Sequence, residues 1–127
     1  MTQEDKELLL KDLCARLDTN LVCSIYRTDE EGVGYRDEIL HGYCKGDIWY
    51  EFYFREDCSI GIDNVSKIKP YLFPLSSITK KTLEELNAYI DIKNAYVAVE
   101  FFNSHHIDYR GLIEKGLAID ATNLNIY

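Results

Sequence analysis

The stretch DIWYEFYFRED, Asp47 to Asp57, decides how the chain is read. From Ile48 to Phe54 six of seven residues are aromatic or large and aliphatic, and only Glu51 interrupts them. Such side chains fit the pleated surface of a strand better than they fit a helix. Alternate residues of an extended chain face opposite ways, so Ile48, Tyr50, Phe52 and Phe54 are expected to point into a core. Trp49, Glu51, Tyr53 and Arg55 then form the other face, which is either a binding surface or the underside of a helix.

Working outward, Lys45-Gly46-Asp47 reads as a turn and Asp37–Lys45 (DEILHGYCK) as the strand before it, giving a β-hairpin. Further upstream, LVCSIYR from Leu21 has strand composition, and TDEEGVGY from Thr28 reads as a solvated acidic loop. Downstream, CSIGID offers a fourth strand with Ile60 and Ile62 in phase. NVSKIKPYLFPL carries a turn into a strand whose prolines place it at a sheet edge. Residues 21–75 are therefore expected to form an antiparallel meander, a small sheet or SH3-like bent barrel of four or five strands.

The flanks are helical. Residues 2–17 open with Thr2 as N-cap and Glu4 and Asp5 in the first turn, and Leu10, Leu13, Cys14 and Leu17 make an apolar stripe that Leu8 and Leu9 widen. That stripe is expected to pack on the sheet. The segment 79–116 should hold two more helices. One is capped at Ser77 or Thr79, with a capping box from Thr82 to Glu85 and Leu83, Leu86, Tyr89 and Ile90 on one side. The other follows Ala95, Ala98, Val99 and Phe102, and a short turn stopped by Gly116 leads into a tail that adds a strand. The expectation is one α+β domain over residues 1–127.

Composition limits the function. The chain has 127 residues, 22 acidic against 14 basic ones, and a formal net charge of -8. The basic residues are scattered without a run, which argues against direct, nonspecific nucleic-acid binding. Cys14, Cys23, Cys44 and Cys58 lack metal-site spacing and read as buried, reduced thiols. The acidic start of the sequence is unlike a signal peptide, and no apolar run is long enough to span a membrane, so a cytoplasmic protein is expected. No phosphate loop, Ca²⁺ loop or serine-nucleophile motif is present, and neither a cofactor nor a metal is expected.

Three stretches, LLLKDLCARL (Leu8–Leu17), IKPYLFPLSSIT (Ile68–Thr79) and FFNSHHIDYRGLIEKGLAI (Phe101–Ile119), resemble a group of small proteins from phages and integrated elements of gut Bacteroidetes. They cover about a third of the chain, and the aromatic strand region departs from the group. The resemblance implies a phage or prophage setting and carries no activity or functional residue with it.

Two constellations carry chemistry. Trp49, Glu51, Tyr53 and Arg55 could stack a ring and pair a phosphate, unless a helix covers them. SHHIDYR, Ser104–Arg110, gathers His105, His106, Asp108, Tyr109 and Arg110. Adjacent histidines on a helix diverge by about 100° and do not share a metal easily, and a helix end with His near its negative pole, followed by Asp and Arg fixing the next turn, explains the same residues. The reading that follows favours a binding protein over an enzyme and leaves the question of catalysis open. Its ligand residues are Trp49, Glu51, Tyr53, Arg55, His105, His106 and Arg110. Its partner is a host protein or a small nucleotide-like ligand, engaged as a decoy or inhibitor of host defence. The alternative is a small hydrolase using His105 or His106 with Asp108.

Overall fold

The computed structural model describes residues 1–29, 32–45, 50–54, 58–81, 84, 85, 87 and 95–127. Helix α1 (Gln3–Ala15) starts at a reciprocal capping box, in which Thr2 Oγ1 accepts from the Asp5 amide and the Asp5 carboxylate accepts from the Thr2 amide. Strands β1 (Val22–Asp29), β2 (Gly32–Lys45), β3 (Tyr50–Phe54) and β4 (Cys58–Gly61) follow, each antiparallel to the next. A 3-10 segment, Ile62–Lys67, leads to β5 (Ile68–Pro74). Helix α2 (Ala95–Ser104) and two short strands, β6 (Ile107–Asp108) and β7 (Ile119–Asp120), complete the described elements.

The fold is α+β, with an open, mixed sheet of seven strands in the order β4-β3-β2-β1-β5-β6 and β7 also pairing with β5. Its core is Leu9 and Leu13 of α1, Leu21, Cys23, Ile25, Leu40, Phe52 and Phe54 of the strand region, Val65, Ile68 and Leu72, and Leu112 and Leu117 from the C-terminal part. The even face of β3 enters this core at Phe52 and Phe54, whereas Tyr50, 48% exposed at the end of the ladder where it pairs with Lys45, stacks on Tyr43 instead. Ile48 and Trp49, like Arg55, lie outside the described residues.

Several expectations are corrected. The stretch from Thr28 to Tyr35 is mostly strand: β1 and β2 run on as a two-stranded arm in register from Val22↔Ile39 to Asp29↔Gly32. Gly32 and Gly34 permit this at φ +143° and +153°, which side-chain-bearing residues adopt only under strain, and the Tyr26 and Tyr35 rings meet edge-on across the arm. Strand β5 is interior, not an edge, because the chain returns to pair with β1. Pro70 is tolerated because it stands at the end of that ladder, opposite Cys23, after which β5 pairs in parallel with β7 and β6. The sheet is thus not purely antiparallel.

The short helical turn expected before Gly116 is present as a hydrogen-bonded turn. Gly116 N–H donates to Ile113 O and Leu117 N–H to Leu112 O, the paired bonds of a Schellman closure, with Gly116 at φ +73°. The helix over Ala95–Ser104 forms, but its expected stripe is not its buried face: Val99 is exposed, Ala98 and Phe102 are half-buried, and Phe101 and Asn103 are buried instead. Lys80, Lys81, Glu84, Glu85 and Asn87 are helical as well, while the Thr82, Leu83, Leu86, Tyr89 and Ile90 expectations lie outside the described residues.

The α1 stripe is rotated from its expected place. Leu9, Asp12, Leu13 and Arg16 are buried; Leu10 and Leu17 flank them half-buried, and Cys14 is exposed. The thiols are therefore not all buried: Cys23 is, and Cys44 is half-buried with its sulfur 2.9 Å from the Tyr53 hydroxyl. No helix of the described residues is long and apolar enough to cross a membrane.

Candidate functional site

The C-terminal half of α1 carries an ion pair inside the protein. Asp12 and Arg16 are one turn apart and both fully buried, with Arg16 Nε and Nη2 donating to the two Asp12 oxygens at 2.9 and 3.1 Å. Arg16 also donates to the carbonyls of Ile107 and Phe102, and Arg110 donates to Asp12 Oδ1 at 2.8 Å. The Tyr109 ring lies beneath both guanidinium groups, 5.3 Å from Arg16 and 4.5 Å from Arg110, and its hydroxyl donates to Asn103. This network fastens α1 to the segment after α2 and fixes where the end of each helix stands.

Between those two helix ends is an open cleft of about 730 Å³. One wall is Cys14, Ala15, Leu17, Asp18 and Thr19; the other is Glu100, Phe101, Asn103, Ser104 and His105, with Glu85 at the margin. Phe101 and His105 stack at 4.0 Å, one turn apart on α2, and give the cleft an aromatic wall. Asp18, Glu85 and Glu100 are exposed carboxylates. Burial pushes the Cys14 thiol up from its ordinary pKa, which disfavours the reactive thiolate.

The expected site residues do not converge. His105 lines the cleft, with Nδ1 3.0 Å from the Phe101 carbonyl. His106 is buried elsewhere, at φ +58°, its ring stacked at 3.8 Å on Tyr127 and its Nδ1 without a hydrogen-bond partner among the described residues. Burial, and then the nearby Arg16 and His105, pull its pKa down to about 4. Asp108 holds the Leu112 and Ile113 amides at 2.8 and 2.9 Å, one on each oxygen, and Arg110 is engaged with Asp12. Glu51 and Tyr53 sit half-buried on β3, away from the cleft wall, while Trp49 and Arg55 lie outside the described residues. Among the described residues no group of three or more His, Cys, Asp or Glu side chains could hold a metal.

The sequence reading missed the cleft-lining Asp18, Thr19, Glu100 and Phe101 and the buried Asp12–Arg16 pair. The pair did leave a signal: Leu9, Asp12, Leu13 and Arg16 occupy i, i+3, i+4 and i+7, so an acid and a base at i, i+4 stand within an apolar track. No protein-family model, no curated protein and no solved structure matches the chain.

Proposed function

We propose that this is a cytoplasmic accessory protein of a phage or prophage that acts by binding a host protein, as a decoy or inhibitor, and that the cleft between α1 and α2 is where it binds. The observation that carries this reading is the cleft itself, held open between two helix ends that a buried ion network fixes in place. A site prearranged in this way loses little freedom when a partner enters. The scaffold is best described as an unclosed SH3-like half-barrel. What supports this description is one small groove lined by Tyr26–Thr28 of β1, Ser59–Gly61 of β4, and Asn64 and Lys67 of the 3-10 segment between β4 and β5.

Two other readings are weaker. A nucleotide-like ligand would bring phosphates toward Asp18, Glu85 and Glu100, which repel them. Hydrolysis through His105 or His106 with Asp108 would need an Asp108 carboxylate that its two backbone amides already hold, and a neighbouring histidine that instead faces Tyr127. The test is in-cell crosslinking in the bacterial host, comparing wild type with Ser104→Arg, which fills the cleft from α2. A defined host protein that crosslinks to wild type and is lost with Ser104→Arg is expected. An identical crosslink pattern in both would refute the cleft as the site.

A further inference from the structure

Resting on that reading, we infer that the cleft recognises a basic segment of its protein partner, taking up Arg or Lys side chains through the carboxylates and hydroxyl oxygens of its wall. Three carboxylates, Asp18, Glu85 and Glu100, account for part of this. Two neutral hydroxyls between them add to it, because their protons are directed into the protein. Thr19 Oγ1 donates to the Arg16 carbonyl at 2.7 Å, and Ser104 Oγ donates to the Phe101 carbonyl at 3.0 Å. Each hydroxyl therefore has only lone pairs left to offer. His105 Nδ1 lies 3.0 Å from the same Phe101 oxygen and 3.1 Å from Ser104 Oγ, which ties the ring to the last turn of α2.

Among the described residues a ligand of anionic or acceptor character meets few donors in such a wall: the Asn103 amide, whose oxygen already accepts from Tyr109, the weak Cys14 thiol and the His105 ring. A guanidinium or ammonium group, which only donates, meets the carboxylates and both hydroxyl oxygens. The exposed His105 ring, backed by the buried Phe101 on which it stacks, adds a flat surface that suits the planar Arg head and the alkyl stem below it. A cleft of about 730 Å³ has room for several side chains of a peptide, which favours a protein segment over a lone polyamine.

The experiment is a fluorescence-anisotropy titration with a labelled Ala-Arg hexapeptide, alongside an Ala-Glu hexapeptide and competition by spermidine. The Ala-Arg peptide should bind and the Ala-Glu peptide should not. Asp18→Asn with Glu100→Gln should weaken binding at least about fivefold, whereas Asp63→Asn with Glu114→Gln, which removes the same charge at exposed sites elsewhere, should change it by less than about twofold. Equal loss in the two double variants, or no binding, overturns the inference, and spermidine competing as well as unlabelled peptide overturns the choice of a protein segment. A host crosslink that Ser104→Arg removes, together with no Ala-Arg binding, would leave the cleft standing as the site and reject only its basic occupant.

Discussion

Removing Asp12 should unfold the protein more effectively than removing any surface carboxylate. Asp12 is fully buried and accepts three charge-assisted hydrogen bonds, two from Arg16 and one from Arg110. Asp12→Ala leaves the Arg16 guanidinium fully buried with two carbonyls and an aromatic face but no anion. Breaking a buried pair from one side costs about 3–5 kcal/mol, a large fraction of the roughly 5–15 kcal/mol that holds a domain folded. Arg16→Met should cost less, about 2–3 kcal/mol, because Asp12 keeps Arg110. The double variant Asp12→Ala with Arg16→Met removes both charges, and Arg110, with 16% of its side chain exposed, can turn to water. It should therefore recover much of the loss. Urea unfolding of the four proteins gives the coupling energy, expected at about 2–3 kcal/mol; single losses that add to within about 0.5 kcal/mol would refute the pair as a coupled unit.

Other outcomes follow from the same geometry. Tyr127→Phe removes the hydroxyl that accepts from the Val22 amide and donates to the Tyr71 carbonyl where the β1–β5 ladder ends; thermal melting should show a loss of about 1 kcal/mol. His106 has a folded pKa pulled down to about 4 from 6.5, so its contribution is complete above pH 6.5 and is lost as pH falls toward 4, where the unfolded chain takes up a proton that the folded one refuses. The upper bound is about 3 kcal/mol, with solvent at the ring edge reducing it, and His106→Asn, which suits φ +58°, should flatten the stability profile between pH 6.5 and 4. Leu13→Asp should cost several kcal/mol by burying an unpaired charge at a position with no exposure, and a melting temperature within a degree or two of wild type would mean that α1 does not pack on the core. Thiol labelling with mass mapping should modify Cys14 in the folded protein and Cys23 only on unfolding.

The aromatic stretch was legible because a period of two is a strong signal where one face is buried: Phe52 and Phe54 enter the core, and Glu51 and Tyr53 do not. The helix from Ala95 was legible as a helix, but its buried residues, Phe101 and Asn103, are not those of the expected stripe. The misreadings have physical causes. Two overlapping tracks exist on α1, Leu10-Leu13-Cys14-Leu17 and Leu9-Asp12-Leu13-Arg16, and hydrophobicity alone favours the first. The second is buried because Arg110 and the carbonyls of Phe102 and Ile107, some ninety residues away, solvate its charges. Local propensity carries no trace of such partners. The prolines of β5 marked an edge by local rule, yet the return of the chain to β1 decided its place. SHHIDYR was conspicuous as chemistry, but Asp108 completes a turn and His106 packs on Tyr127, so composition overstated its convergence. The cleft draws its walls from residues 14–19 and 100–105, and neither stretch is distinctive alone.

The most direct test of the account is a two-dimensional amide NMR titration of the full chain with the Ala-Arg hexapeptide. The account predicts that shifts concentrate at Asp18, Thr19 and Glu100–His105, the two walls of the cleft, and that they vanish in Ser104→Arg. Shifts confined to Glu51, Tyr53 and their strand neighbours, or a cleft that stays silent while peptide binds, would contradict it.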